Sequence, residues 1–245
     1  ATVRYQVQHD STYDYSSMVS SGHHFSHLSP RNTEHQQVLV HELLCDPAPA
    51  ETIFIRDYFG NDTRSILINS PHEQLVVSAR SQVDVFTPEH PADLLLQSWE
   101  SALTQENQAW ENPEVSEMRL PSQHVECLSQ SVDYSMRFFR AGRPWLEAML
   151  ELTQAIRQEF SYAPEATTIY TPVSEVFENR QGVCQDFAHL MLSCLRSLKL
   201  PARYVSGYIL NEPPPGVEKL LGSDASHAWV ESWLPGLGWI GLDWF

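Results

Sequence analysis

The amino-acid sequence predicts an α+β protein with an N-terminal antiparallel β-sandwich domain, a helical connector, and a core in which a helix packs on an antiparallel sheet. Residues 1–88 predict the β domain because short strands follow one another, separated by turn signals. Residues 89–142 predict the connector because apolar residues recur there at helical spacing. Residues 143–245 predict the core because two amphipathic helices precede a strand hairpin.

The composition indicates a packed core and restricts the partners. Hydrophobic residues make up 42% of the chain and aromatic residues 11%, which is typical of a globular protein. The net charge is −16, from 15 basic and 31 acidic side chains, and it disfavours nucleic acid or an anionic membrane surface as the main partner. Since no apolar run reaches about 18 residues, we expect no membrane insertion.

The cysteines are few and widely spaced, at positions 45, 127, 184 and 194. They form no CxxC pair and do not predict a disulfide scaffold, so we expect a reducing, cytoplasmic location. The chain begins ATVRYQVQHD, without a basic or apolar leader and without Met, so we expect a processed N-terminus.

The strands of the β domain are visible as alternating or β-branched runs. In TVRYQVQHD, Val3, Tyr5 and Val7 alternate with polar residues, which is typical of a half-buried strand. The runs QQVLVHELLCD, ETIFIRDYF, TRSILINS and QLVVSARSQVDVF follow, with a GND turn between the second and third of them. Pro88 and Pro91 mark the end of this pattern.

The helical part of the chain follows. In the connector we expect two helix faces, the first formed by Trp99, Leu103 and Trp110 and the second by Val132, Met136 and Phe139. RPWLEAMLELTQAIRQEFSY predicts an amphipathic helix, and VSEVFENR a short one capped by Ser174. The helix predicted from GVCQDFAHLMLSCLRSLKL buries one stripe: Phe187, Leu190, Met191, Cys194, Leu195 and Leu198. The strand ARYVSGYIL, the loop NEPPPGVEKLLGSD and the hairpin SHAWVESWL–PGLG–WIGLDWF complete the chain.

Cys184 is the candidate nucleophile. The predicted helix begins near it, because Gly182 permits a close backbone approach and the apolar stripe starts at Phe187. The positive end of the helix dipole favours a thiolate at that position. The unpaired N–H groups of the first turn can bind an oxyanion. Cys194 lies on the apolar stripe, so we assign it to the core, and we expect the same of Cys45 and Cys127.

His227 and Asp243 are the candidate partners of the thiol. His227 opens the strand SHAWVESWL, and Asp243 lies on the strand that the PGLG turn folds back beside it. Neighbouring antiparallel strands place side chains of one face about 5 Å apart. A carboxylate there fixes the tautomer and orientation of an imidazole. Each residue alone would be a weak signal, but the order Cys, His, Asp predicts a cysteine triad.

These segments resemble a known family. GVCQDFAHLMLSCLRSLKLPARYVSGYI and SHAWVESWLPGLGWIGLDW are similar to the bacterial transglutaminase-like superfamily, which has a papain-like cysteine-protease core. YQVQHDSTYDYSSMVS, DPAPAETIFIRDYFGND and VVSARSQVDVF resemble its N-terminal β domain. The resemblance covers nearly the whole chain and implies Cys184 as nucleophile, His227 as base and Asp243 as orienting carboxylate. Two features depart from the family: Trp244 replaces the usual proline, and the chain ends soon after, so we expect a truncated C-terminus.

The resemblance implies thiol acyl chemistry on a peptide or protein substrate, with no metal or organic cofactor. We expect a Cys thioester that is resolved by hydrolysis, as in a peptidase or amidase. Amine transfer and a non-catalytic peptide-binding module are the alternatives. The sequence does not predict the oligomeric state or the second oxyanion donor, for which Trp145 and Tyr162 are candidates.

Three smaller features lie outside the predicted triad. The histidines at 23, 24, 27, 35 and 41 raise the alternative of a metal-binding protein, although no HExxH pattern completes them. Asp186, in the first turn after Cys184, is expected to cap the helix. His189 is expected to pack beside the site and not to react.

Overall fold

The computed structural model describes residues 1–104, 112–210 and 226–243, and it divides into two compact units, Ala1–Glu89 and His90–Phe245. Together they have the predicted α+β character, with antiparallel sheet first and helices later. Trp110 and the predicted loop at 211–224 lie outside the described residues. Within the described ranges, no helix has the length and apolar character needed to cross a bilayer.

The first unit is described completely and consists of two three-stranded antiparallel sheets. The strand orders are β1-β6-β3 and β2-β5-β4. The strands are β1 (Thr2–Val19), β2 (Gly22–Ser26), β3 (Gln36–Asp46), β4 (Glu51–Arg56), β5 (Asp62–Ile68) and β6 (His72–Phe86).

A small apolar cluster joins the two sheets of this unit. Ile66 and Ile68 of β5 pack with Leu75 and Val77 of β6, and all four are buried. Each such side chain contributes about 1.5–3 kcal/mol by leaving water. The sheets therefore face each other, which is the predicted sandwich. Cys45 packs at the edge of this cluster, half-buried.

The second unit contains short helices, a three-stranded antiparallel sheet ordered β11-β10-β9, and a short parallel pair, β7 with β8. The helices are α1 (Ala92–Leu95), a 3-10 helix (Trp99–Leu103), α2 (Pro113–Glu117), α3 (Ser129–Ser135), α4 (Trp145–Glu159), α5 (Val173–Asn179) and α6 (Cys184–Ser197). The strands are β7 (Ser161–Tyr162), β8 (Gln181–Gly182), β9 (Ala202–Gly207), β10 (His227–Leu234) and β11 (Gly238–Leu242).

Helix α6 is the centre of the second unit. It packs against β9 and β10 on one side and against α3 and α5 on others. The predicted stripe is buried from Phe187 to Leu195, while Leu198 is only partly buried. Cys194 is fully buried, as predicted, and burial raises the pKa of its thiol to about 12. The facing side of β10 is formed by its buried residues: Ala228, Val230, Ser232 and Leu234.

The predicted connector shares this core. Trp99, Ala102 and Phe139 belong to the same apolar cluster as α4 and α6. The second predicted helix face is wrong at Met136, which is 48% exposed. The last turn of α3 does reach Met136, whose N–H donates to the Val132 carbonyl at 2.9 Å, but the buried side of this turn is formed by Tyr134 and Ser135.

Two further expectations are corrected. Cys127 is exposed and not a core residue, because it lies in the irregular segment before α3. Ser174 does not cap α5, because the helix already begins at Val173, after an extended Pro172 with no side-chain cap.

Candidate active site

Cys184 is the first residue of α6, as predicted, and the residues around it set that start. Val183 is extended and donates its N–H to the Asp186 carboxylate at 2.8 Å. The same carboxylate oxygen accepts a hydrogen bond from the Thr167 hydroxyl at 2.6 Å. Asp186 is 3% exposed. The predicted capping role of Asp186 is therefore confirmed, and the cap ties the helix start to the loop after β7.

Gly182 is required by this cap. A Cβ at position 182 would lie 2.8 Å from the Asp186 Cβ and 2.9 Å from its Oδ2. Any side chain would displace the carboxylate from the Val183 N–H. Glycine at position 182 thus lets the chain pass from β8 into α6 while the Asp186 cap forms, which explains why a glycine lies shortly before Cys184.

Two tyrosines lie near the sulfur of Cys184. Tyr162 of β7 pairs with Gly182, and burial, with the charge of Cys184, raises its pKa. Burial, with the charges of Cys184 and Asp186, raises the pKa of Tyr204 to about 12. Since Tyr204 is on β9, opposite Val230 of β10, the start of α6 lies close to the sheet that carries the candidate histidine.

His227 and Asp243 are brought together, as predicted. The His227 Nε2 atom lies 3.1 Å from Asp243 Oδ1 and 3.2 Å from Oδ2. The two side chains are 13% and 28% exposed. The hairpin register explains this contact: Val230 pairs with Leu242, so His227 and Asp243 extend from the same face of neighbouring strands.

A shallow cavity of about 270 Å³ lies beside this pair. The side chains of Tyr208, Ile209, Trp229, Leu242 and Asp243 line it. Trp229 also lies next to the His227 ring, with centroids 6.1 Å apart and planes inclined by 24°. The cavity is mostly apolar and has the carboxylate at one side.

The two candidate oxyanion donors differ sharply in position. Trp145 is fully buried at the start of α4 and belongs to the core. Tyr162 is 56% exposed, in the strand that pairs with the residues before Cys184. Of the two, only Tyr162 is exposed near the start of α6.

Two histidines of the metal-binding alternative have hydroxyl partners. His23 bonds Ser65 at 2.6 Å, and His41 lies between Ser29 and Ser81. Across the described ranges, no group of three or more potential metal ligands comes together.

His189 packs beside the site, as expected. It stacks on His124 with centroids 5.6 Å apart, and burial lowers the pKa of His189 to about 4.

The sequence did not single out Tyr204 or Thr167, and it indicated for Trp229 only a place in the core or along the substrate groove. For Trp229 a signal was present, because the alternation of HAWVESW places it on the same face as His227. For Thr167 no local pattern was available, since its partner Asp186 lies in another element.

A helix that begins at a cysteine and packs on an antiparallel sheet is the arrangement of the papain-like, transglutaminase-like fold class. Residues 133–244 match the family described as "Transglutaminase-like superfamily", and residues 5–84 match "Bacterial transglutaminase-like N-terminal region". An uncharacterised protein of Mycobacterium tuberculosis is 37% identical over 249 residues, covering 99% of this chain and 78% of that protein.

Two other comparisons are more limited. A crystal structure from Cytophaga hutchinsonii, named as a candidate cysteine protease, has a TM-score of 0.75 at 20% identity, covering 98% of this chain and 78% of that one. A protein-glutamine gamma-glutamyltransferase of Pseudomonas aeruginosa is 36% identical over 100 residues, 38% of this chain and 15% of that protein. The chain belongs to the transglutaminase-like superfamily, a family of thiol enzymes, and carries its bacterial N-terminal region.

Proposed function

We propose that this protein is a thiol enzyme that forms a thioester between Cys184 and the acyl group of an amide or peptide substrate, and that water then releases the acid. One observation carries the proposal. The His227–Asp243 hydrogen bond lies on the sheet against which the helix that starts at Cys184 packs. A thiol, an imidazole and a carboxylate in this order are the parts of an activated nucleophile.

In the first half-reaction, the Cys184 thiolate attacks the carbonyl carbon and the C–N bond breaks. His227, as imidazolium, gives its proton to the departing amine. Because Nε2 is the nitrogen that faces Asp243, we assign Nδ1 to the sulfur and to the departing amine. The N–H groups of the first turn of α6 and the Tyr162 hydroxyl would bind the oxyanion.

In the second half-reaction, His227 takes a proton from water as the water attacks the thioester carbonyl. The C–S bond breaks, the acid leaves, and the thiolate is restored. The Asp243 carboxylate stabilises the imidazolium. Hydrolysis is favoured because water is the acceptor present in every open cleft, and an apolar cavity such as that beside Trp229 suits part of a peptide.

Amine transfer is the second candidate, and the relative named as a protein-glutamine gamma-glutamyltransferase favours it. The first half-reaction is the same. An amine replaces water in the second, and the product is a new amide with the same release of thiolate. Exclusion of water from the thioester decides between the two outcomes.

The test has two parts. Iodoacetamide labelling, followed residue by residue by mass spectrometry, should label Cys184 at pH 6, where the exposed thiol Cys127 reacts slowly. A screen of peptide and amide substrates, with and without an added amine, should then show acid or new amide as product. Cys184→Ala should abolish turnover, while Cys127→Ala should not change it. Equal labelling of both thiols at pH 6, or turnover by Cys184→Ala, would exclude the mechanism. Binding of peptides without turnover would favour the binding module.

A further inference from the structure

Trp229 has an unusual position on the sheet beside His227. It follows His227 by two residues on β10 and therefore extends from the same face. Val230 pairs with Leu242, so one further step in the same register places Trp229 opposite Asp243. The indole thus adjoins both members of the His227–Asp243 hydrogen bond.

The glycines on the two flanking strands show how the indole lies. A Cβ at Gly207 of β9 would be 2.5 Å from Trp229 Cη2 and 2.9 Å from Cζ3. A Cβ at Gly241 of β11 would be 3.8 Å from Trp229 Nε1. The six-membered ring therefore lies over the backbone of β9 and the N–H end points toward β11. The indole lies flat across the sheet and occupies the space that a side chain at position 207 would need.

The nearby imidazole is restricted by this indole. The rings of His227 and Trp229 are inclined by only 24° at 6.1 Å, a separation within the range of offset aromatic pairs. The indole occupies one side of the imidazole and so limits the orientations open to the His227 ring. Trp229 and Asp243 also line the same mostly apolar cavity, and a less polar surrounding strengthens a charged hydrogen bond.

We propose that Trp229 is a positioning residue, held flat by the absence of a side chain at Gly207, which fixes the His227 ring for its bond to Asp243. This inference rests on the proposed function of the site. It also predicts which residues the two glycine positions can accept. Position 207 must be glycine because a side chain there would displace the Trp229 indole, whereas position 241 has room for a methyl group.

Rates of Cys184 labelling by iodoacetamide between pH 5 and 10 test the proposal without a known substrate. Gly207→Ala should displace the indole without removing it, and Trp229→Ala should remove it. Both should lower the labelling rate at pH 6 by about ten- to hundredfold, the loss that a misplaced catalytic group gives. Trp229→Phe, which restores part of the ring, should lie between these variants and the unaltered protein.

Matched controls separate positioning from general damage. Gly241→Ala adds the same methyl group to the same sheet, in ordinary contact with the indole. Trp233→Phe removes the next indole from the same face of β10. Both should label within twofold of the unaltered protein. Thermal melts compare folding, and 15N shifts of the His227 ring report its tautomer, which a purely structural change would leave as it was.

The outcomes distinguish the two proposals. If the unaltered protein shows no preferential labelling of Cys184 at pH 6, the proposed function fails. If it does, and folded Gly207→Ala and Trp229→Ala variants keep both its rate and its His227 shifts, only the role of Trp229 is overturned. If Gly207→Ala does not fold, Trp229→Phe against Trp233→Phe decides, and equal rates for that pair reject the positioning role.

Discussion

Removing the charge of Asp243 should suppress the reactivity of Cys184. The His227 Nε2 and Asp243 Oδ1 atoms are 3.1 Å apart, which corresponds to about 5 kcal/mol of attraction between imidazolium and carboxylate at an effective dielectric constant of about 20. Because the carboxylate is 28% exposed, we discount this attraction by about half, to roughly 2–3 kcal/mol. Asp243→Asn should therefore lower the labelling rate of Cys184 at pH 6 by roughly 30- to 150-fold.

Asp243→Ala should lower the labelling rate of Cys184 further than Asp243→Asn, because alanine also removes the oxygen that accepts the hydrogen bond from His227. A hydrogen bond contributes about 1 kcal/mol, which adds roughly a further fivefold loss. Both variants should approach the rate of the unaltered protein above about pH 9.5, where a cysteine is ionised without help from its surroundings. Their rates should therefore differ most from those of the unaltered protein in mildly acidic solution.

The assay is iodoacetamide labelling followed by mass spectrometry, with Glu231→Gln as the matched control. Glu231 extends from the same face of β10, and its carboxylate bonds Arg203 at 2.7 Å. Its loss should change the rate by less than about threefold, because an exposed or half-buried pair contributes little. Rates for Asp243→Asn and Asp243→Ala that match Glu231→Gln would refute the triad reasoning.

Three further predictions concern the surroundings of the site. Gly182→Ala places a methyl group 2.8 Å from the Asp186 Cβ, so it should lower the free energy of unfolding by about 1–3 kcal/mol; an unchanged urea midpoint would contradict the cap. Burial lowers the pKa of His189 to about 4, below an ordinary value of about 6.5. The unfolded chain then binds more protons, so stability should be full above about pH 6.5 and fall toward pH 4 by up to about 3 kcal/mol. In urea titrations, His189→Gln should reduce this loss of unfolding free energy between pH 6.5 and pH 4. An equal loss in the variant and the unaltered protein would show that His189 is not its cause. Cys194, whose pKa burial raises to about 12, should resist labelling at pH 8 until urea unfolds the chain; labelling of the folded protein at the rate of Cys127 would refute its burial.

Much of the local structure followed from periodicity. The alternation of Tyr5 and Val7 and the helical stripe from Phe187 to Leu195 reflect the two backbone repeats directly, whereas Val3, predicted on the same half-buried strand face, is 45% exposed. The errors arose where a local pattern did not determine which side chains are buried. Met136 lies in the last turn of α3, yet its side chain is 48% exposed, and Cys127 was assigned to the core from residue type alone.

By itself, the sequence determined the helix that begins at Cys184 and the hairpin that brings His227 toward Asp243, because helix caps, turns and strand alternation act over a few residues. Only the tertiary structure decided which sheets the N-terminal strands form, which tyrosines lie near the sulfur, and that the Trp229 indole lies over Gly207. These contacts join residues that are distant along the chain or depend on how elements pack. No local pattern encodes them, because their energy comes from the shape of the space that several elements enclose together.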